Sequence, residues 1–269
     1  MKKIMMKIGA GVMLLLGIGL LAYPAAASYV HQRNDTGVIR KLENQLRQSD
    51  DEAVEMQCNL ARWYNLNLTA EQPEENFMEA YYDILDYSDH VMGYIAIPAI
   101  GERLPIYHGT GDEVLSKGVG HVPETAFPVG GEGNHTVLMG CSNRPGAENF
   151  SDLGELEVGD LFYIHVLDKV LAYRVEEVQK DTETMHERIK TIPGEDLCTL
   201  VTYTTHSGTS SKLLVRGTRA EHADQEVVTP VEEGAQEMGW IGIAVSAVLL
   251  AGFIPLLILG SSGDGKNKK

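Results

Sequence analysis

"CTLVTYTTHSGTSSKLLVRGTR", residues 198–219, decides how this chain is read. Two runs rich in β-branched and aliphatic residues, "CTLVT" and "KLLVRGTR", flank the polar stretch "TTHSGTSS", which is the composition of two buried strands joined by a turn. Tyr203 falls where the first strand stops, a place suited to presenting a nucleophile, and Arg216 lies near the end of the second. Side chains alternate along a strand, so Leu214, Arg216 and Thr218 share one face, where the arginine either lines a groove or pairs with a buried carboxylate.

Upstream, the same punctuation recurs. The runs "VMGYIAI", "LPIY", "HTVLMG", "LFYIHV" and "VLAYRVEEV" follow one another from Val91, separated by Gly, Pro and Asp as in "IPAIGERLP" and "PVGGEGN". "YIHVLDKVLAY" reads as a tight hairpin about Asp168 and Lys169. Seven or eight short strands at this spacing favour a small closed barrel over a βαβ sheet. Before them, residues 36–67 carry leucines and charges at helical spacing without a proline, and a second short helix is expected near 75–85.

The ends of the chain set its surroundings. Two uncharged apolar runs, 8–27 and 238–260, are each long enough as helices to cross a hydrocarbon core of about 30 Å. Lys2, Lys3 and Lys7 precede the first and Lys266, Lys268 and Lys269 follow the second, so the positive-inside rule places both termini in the cytoplasm and the rest outside. The small residues of "YPAAAS" leave cleavage of the first run as an alternative. The expected organisation is a tip and signal anchor over 1–30, a helical preface with a lid-like region over 31–90, a barrel over 91–219, an acidic linker over 220–237, a second span over 238–260 and a tail over 261–269. The formal charge is −16, and 37 of the 38 acidic residues lie between the spans, which argues against nucleic acid as a partner. Three cysteines, Cys58, Cys141 and Cys198, make an odd count and imply no disulfide framework.

The strings "VMGYIAIPAIGERLPIYHGTGDEVLSKGVGHVPETAFPVGGEGNHTVLMG", "FSDLGELEVGDLFYIHVLDKVLAYRVEEV" and "TLVTY…LLVRGTR" resemble the class C, or pilus, sortases over residues 35–219. The resemblance implies a mainly β fold, an eight-stranded closed barrel with an N-terminal helical segment, flanked by two transmembrane helices on a Gram-positive plasma membrane. It also implies partners: LPXTG-like sorting-signal peptides or pilin subunits. In that family a strand written TLxTC offers a thiolate, a TGH histidine carries the proton, and an arginine thirteen residues past the cysteine steadies the substrate. No cofactor is implied.

Carried onto this chain, the cysteine position holds Tyr203, the arginine falls on Arg216, and "MGCSNRP" puts Cys141 where the histidine belongs. A phenol of pKa about 10 is ionised to about one part in a thousand near neutral pH, and no imidazole stands at the family position to take its proton. An inverted pair, Cys141 as nucleophile with His206 as base, restores both residue types and is the alternative. The lid stretch 65–89 lacks the Asp-Pro-aromatic tripeptide of the family. Cys198 lies five residues before Tyr203, on the opposite face by alternation. His108, His121 and His135, even with Cys141, lack the spacing of a metal-ligand set and read as core or hydrogen-bonding residues. The expected function is binding of sorting signals or pilin segments without ordinary transpeptidase activity. An active rearranged enzyme and a non-catalytic scaffold are the rivals.

Overall fold

The computed structural model describes residues 34–141, 149–180, 189–206 and 209–220 and six isolated residues between 11 and 23, without the side chains of 88, 204–206 and 209–211. The chain divides into two compact units, Val30–Glu226 and Met1–Tyr29 with Val227–Lys269; the fold below is that of the first. The expected spans 8–27 and 238–260, the linker 220–237 and the tail 261–269 lie almost wholly outside the described residues. Among the described residues no helix is long and apolar enough to cross a membrane.

Eight strands close into a barrel, β1 (Val91–Ile97), β2 (Glu102–His108), β3 (Val119–His121), β4 (His135–Cys141), β5 (Leu161–Val166), β6 (Lys169–Lys180), β7 (Leu197–His206) and β8 (Thr209–Arg219). Their order around the barrel is β1-β2-β3-β4-β7-β8-β6-β5. Most neighbours run antiparallel, but β2 with β3 and β4 with β7 run parallel; the segment 109–118 crosses between the first pair, and β5 and β6 intervene in sequence between the second. The hairpin expected about Asp168 and Lys169 is the β5–β6 turn.

All seven residues of β1 are buried, which explains why "VMGYIAI" shows no polar alternation. Ile95 and Ile97 enter the barrel core, while Val91 and Tyr94 face outward under Ile39 and Leu42. Those two residues come from the helical preface, which is two helices rather than one: α1 over 34–48 and α2 (Asp51–Thr69). Asp50 separates them by accepting a hydrogen bond at 2.7 Å from the Ala53 amide, an N-cap that starts a new helix. α1 is tied to the barrel by Glu43 Oε1, which accepts from Tyr94 Oη at 3.0 Å and Arg103 Nη2 at 2.8 Å.

The second helix expected near 75–85 is a 3₁₀ helix, Phe77–Asp83. Tyr81 fixes it: its hydroxyl donates to the His121 carbonyl at 3.0 Å and accepts from the Gly109 amide at 2.9 Å. His121 lies fully buried, stacked on Phe127 at 5.2 Å, with Nε2 bonded to the Ala126 carbonyl. His108 is held by the Ile84 carbonyl at 2.7 Å. Asn65 of α2 exchanges both amide bonds with the backbone of Phe127. The lid-like stretch therefore joins the barrel through β2, β3 and the segment before β4.

Candidate functional site

The register of three strands builds the site. Leu138 of β4, Cys198 and Leu200 of β7, and Leu213 and Val215 of β8 lie in the barrel core. Alternation then sends Val137, Met139 and Cys141, Thr199, Val201 and Tyr203, and Lys212, Leu214 and Arg216 to the outer face. Strand pairing arranges them in rows: Cys141 beside Tyr203 beside Lys212, then Met139, Val201 and Leu214, then Val137, Thr199 and Arg216. A middle row in which Met139 is partly exposed and Val201 and Leu214 are buried is thus bounded on either side by a row that ends in a cation.

Cys141 and Tyr203, 62 positions apart in sequence, stand side by side because β4 and β7 are parallel and in register. Cys141 is the last residue of β4 and is partly exposed, as is Tyr203. Its predecessor Gly140 admits no side chain: a Cβ there would lie 2.6 Å from the Phe150 ring and 2.8 Å from the Asn149 carbonyl. Lys212 sits directly across β8 from Tyr203, with Nζ 5.4 Å from the centroid of the phenol ring. His206 ends β7 three residues beyond Tyr203, about 10 Å along the strand, and its side chain lies outside the described residues.

Arg216 occupies a different place. It pairs in register with Thr199, four residues and about 13 Å before Tyr203. On its other side it meets Glu177 of β6, with Nη2 2.9 Å from Oε2. Both readings of the sequence are thus partly realised: the arginine lies on the outward face, and a carboxylate already holds it. Burial keeps the nearby His135 below its ordinary pKa, and the Arg216 charge adds to that effect. His135 is further committed through Nε2 to Thr199 Oγ1 at 2.7 Å and through Nδ1 to the Lys190 carbonyl at 2.9 Å.

The remaining candidates fall outside this face. Cys198 is buried opposite Gly217 on the inner side, and burial drives its thiol pKa well above the ordinary value. Cys58 is buried on α2, with Lys169 Nζ 3.3 Å from its sulfur. His108 and His121 belong to the aromatic and carbonyl network of the lid-like stretch; His121, pushed down to about 3 by burial, stays neutral. Among the described residues no group of three His, Cys, Asp or Glu could hold a metal.

Lys212 is the residue that counting along the sequence missed. Ser207-Gly208 is a two-residue turn signal, and centring the hairpin on it pairs position 203 with 212.

Residues 95–220 match the sortase domain family. The chain is 35% identical over 121 residues to sortase A of Streptococcus agalactiae serotype III (strain NEM316), covering 42% of this chain and 47% of that protein. With sortase A of Bacillus anthracis the identity is 28% over 127 residues, 59% of that protein, so the chain spans about half the length of these curated relatives. Among solved structures, sortase C of Streptococcus pneumoniae is 37% identical, with a TM-score of 0.62 over 68% of this chain and 96% of that one. Sortase C1 of Streptococcus agalactiae is 30% identical, with a TM-score of 0.63 over 68% and 97%. The barrel therefore matches the fold of the class C, or pilus, sortases, and this chain belongs to the sortase family.

Proposed function

We propose that the protein binds sorting-signal or pilin segments on the face of β4, β7 and β8 at the cell surface, without ordinary cysteine transpeptidase activity. The observation that supports this reading is the terminal row itself: a tyrosine and a thiol stand side by side where thiol transfer chemistry requires a thiol beside an imidazole. His121 pairs with Leu138, three residues from Cys141 along β4, and both His121 and His135 are buried and bonded elsewhere. General base catalysis needs hydrogen-bond contact or one intervening water, which these two imidazoles do not offer Cys141. In this reading Lys212 supplies the positive charge beside Tyr203, while Arg216, already paired with Glu177, stands farther along the same face. The apolar runs 8–27 and 238–260 hold the domain on the outer side of the plasma membrane, with both termini in the cytoplasm.

The test is incubation of the purified protein with LPXTG-like peptides and a nucleophilic amine. Binding without cleavage is expected. Turnover that disappears in Cys141→Ala would overturn the reading in favour of the rearranged Cys141 and His206 pair. Binding that is unchanged when Lys212 and Arg216 are both replaced by Met would point instead to a scaffold role away from this face. The double variant Tyr203→Cys, Cys141→His, which restores the thiol and imidazole, is expected to gain detectable hydrolysis.

A further inference from the structure

We infer that the terminal row recognises the free C-terminal carboxylate of a peptide, so that the preferred ligand is a sorting signal already cut after its threonine rather than an uncut chain. The inference rests on the binding role proposed above and names its ligand.

Three observations carry it. First, the two cations of the face differ in what they have left to give. Arg216 is matched by Glu177 at 2.9 Å, whereas among the described residues no carboxylate pairs with Lys212. Second, the Lys212 ammonium is held by the Tyr203 ring at 5.4 Å, an attraction to the π face that leaves its N–H groups able to donate. Third, the row is the last on β4, since the strand stops at Cys141. Val201 and Leu214 of the next row are buried, whereas Cys141, Tyr203 and Lys212 are partly exposed, so a peptide reaches this face at its terminal row rather than along it, which suits the end of a chain.

An ammonium already makes a charge-assisted hydrogen bond to a neutral peptide carbonyl; a terminal carboxylate adds to it the direct attraction between opposite charges. The whole protein carries −16, so its net charge disfavours an acidic ligand. Lys212, with which no carboxylate pairs among the described residues, is a local exception that favours the end of a chain over its middle. The chemistry is binding alone; no bond is made or broken.

The experiment uses the full chain in detergent micelles and three peptides with the same N-terminal fluorophore: one ending in Leu-Pro-Ala-Thr with a free carboxylate, the same sequence as a C-terminal amide, and the sequence continued by Gly-Gly. Fluorescence anisotropy is expected to show the free acid binding at least tenfold tighter than the amide at low salt. Lys212→Met should bring the acid to the level of the amide, and Lys212→Arg should preserve the preference. Circular dichroism of each variant confirms that the barrel is intact. Equal binding of all three peptides would overturn the carboxylate preference and leave the binding role standing. Absence of binding by all three would overturn both.

Discussion

Arg216 and Glu177 face each other across one strand pair, and their side chains retain only 21% and 27% of their exposure. That is too shielded for the near-zero value of a surface pair and too open for the cost of a fully buried one. Glu177→Gln is therefore expected to destabilise the fold by about 1–2 kcal/mol, read by urea titration, because the guanidinium loses its counter-charge. Beside the thiol, Gly140→Ala forces a methyl group into the Phe150 ring and the Asn149 carbonyl; overpacking of this kind costs about 1–3 kcal/mol. The same substitution should alter the rate at which a thiol reagent labels Cys141, since the strand must shift to make room. At this scale the sequence names candidate side chains but not which of them stand together. Tyr203, Cys141 and Arg216 could be named by counting, but which cation stands beside Tyr203 depends on the β7–β8 register, which follows only once Ser207-Gly208 is taken as the centre of the hairpin.

The strands were legible because a small barrel buries both faces of several of them, leaving near-continuous apolar runs such as "VMGYIAI". β3 was not, since Val119–His121 is three residues long and carries no periodicity. Likewise the break between α1 and α2 turns on one cap, Asp50, inside an otherwise unbroken helical pattern. The stretch 77–83 takes 3₁₀ rather than α-helical form, and its Tyr81 hydroxyl is committed to the barrel. Tyr81→Phe keeps the ring contacts with His121 and Phe127 but strips the hydroxyl from the buried Gly109 amide and the His121 carbonyl. An unpaired buried amide costs about 1–3 kcal/mol, and the loss should appear as faster hydrogen exchange at Gly109 and in the 3₁₀ segment.

Across the whole barrel, buried titratable groups tie stability to pH in opposing directions. Burial lowers His121 to about 3 and His165 to about 4, with the Arg103 charge adding to the effect on His165. The unfolded chain takes up protons near pH 6.5 that these folded imidazoles refuse, so the stability they contribute is present above 6.5 and lost as pH falls toward 4 and 3. Glu102 acts oppositely. Burial, with the Asp152 charge, raises it to about 7, so its contribution is complete below the unfolded value near 4.5 and disappears as pH rises through 7. Denaturant titrations from pH 7.5 to 4.5 should therefore show a shallow net decline. Glu102→Gln is expected to steepen it. His165→Phe, which keeps a ring against Tyr94 at the stacking distance of 4.1 Å, should flatten it.

The adjacency of Cys141 and Tyr203 has one more consequence. Against the sortase pattern that the sequence resembles, a thiol stands for the imidazole at one position and a phenol for the thiol at its immediate neighbour, so the pair still holds one thiol and one ring but is larger by the difference between a phenol and an imidazole. Reverting either position alone then sets two thiols or two rings side by side, and only the simultaneous reversal keeps one thiol beside one ring.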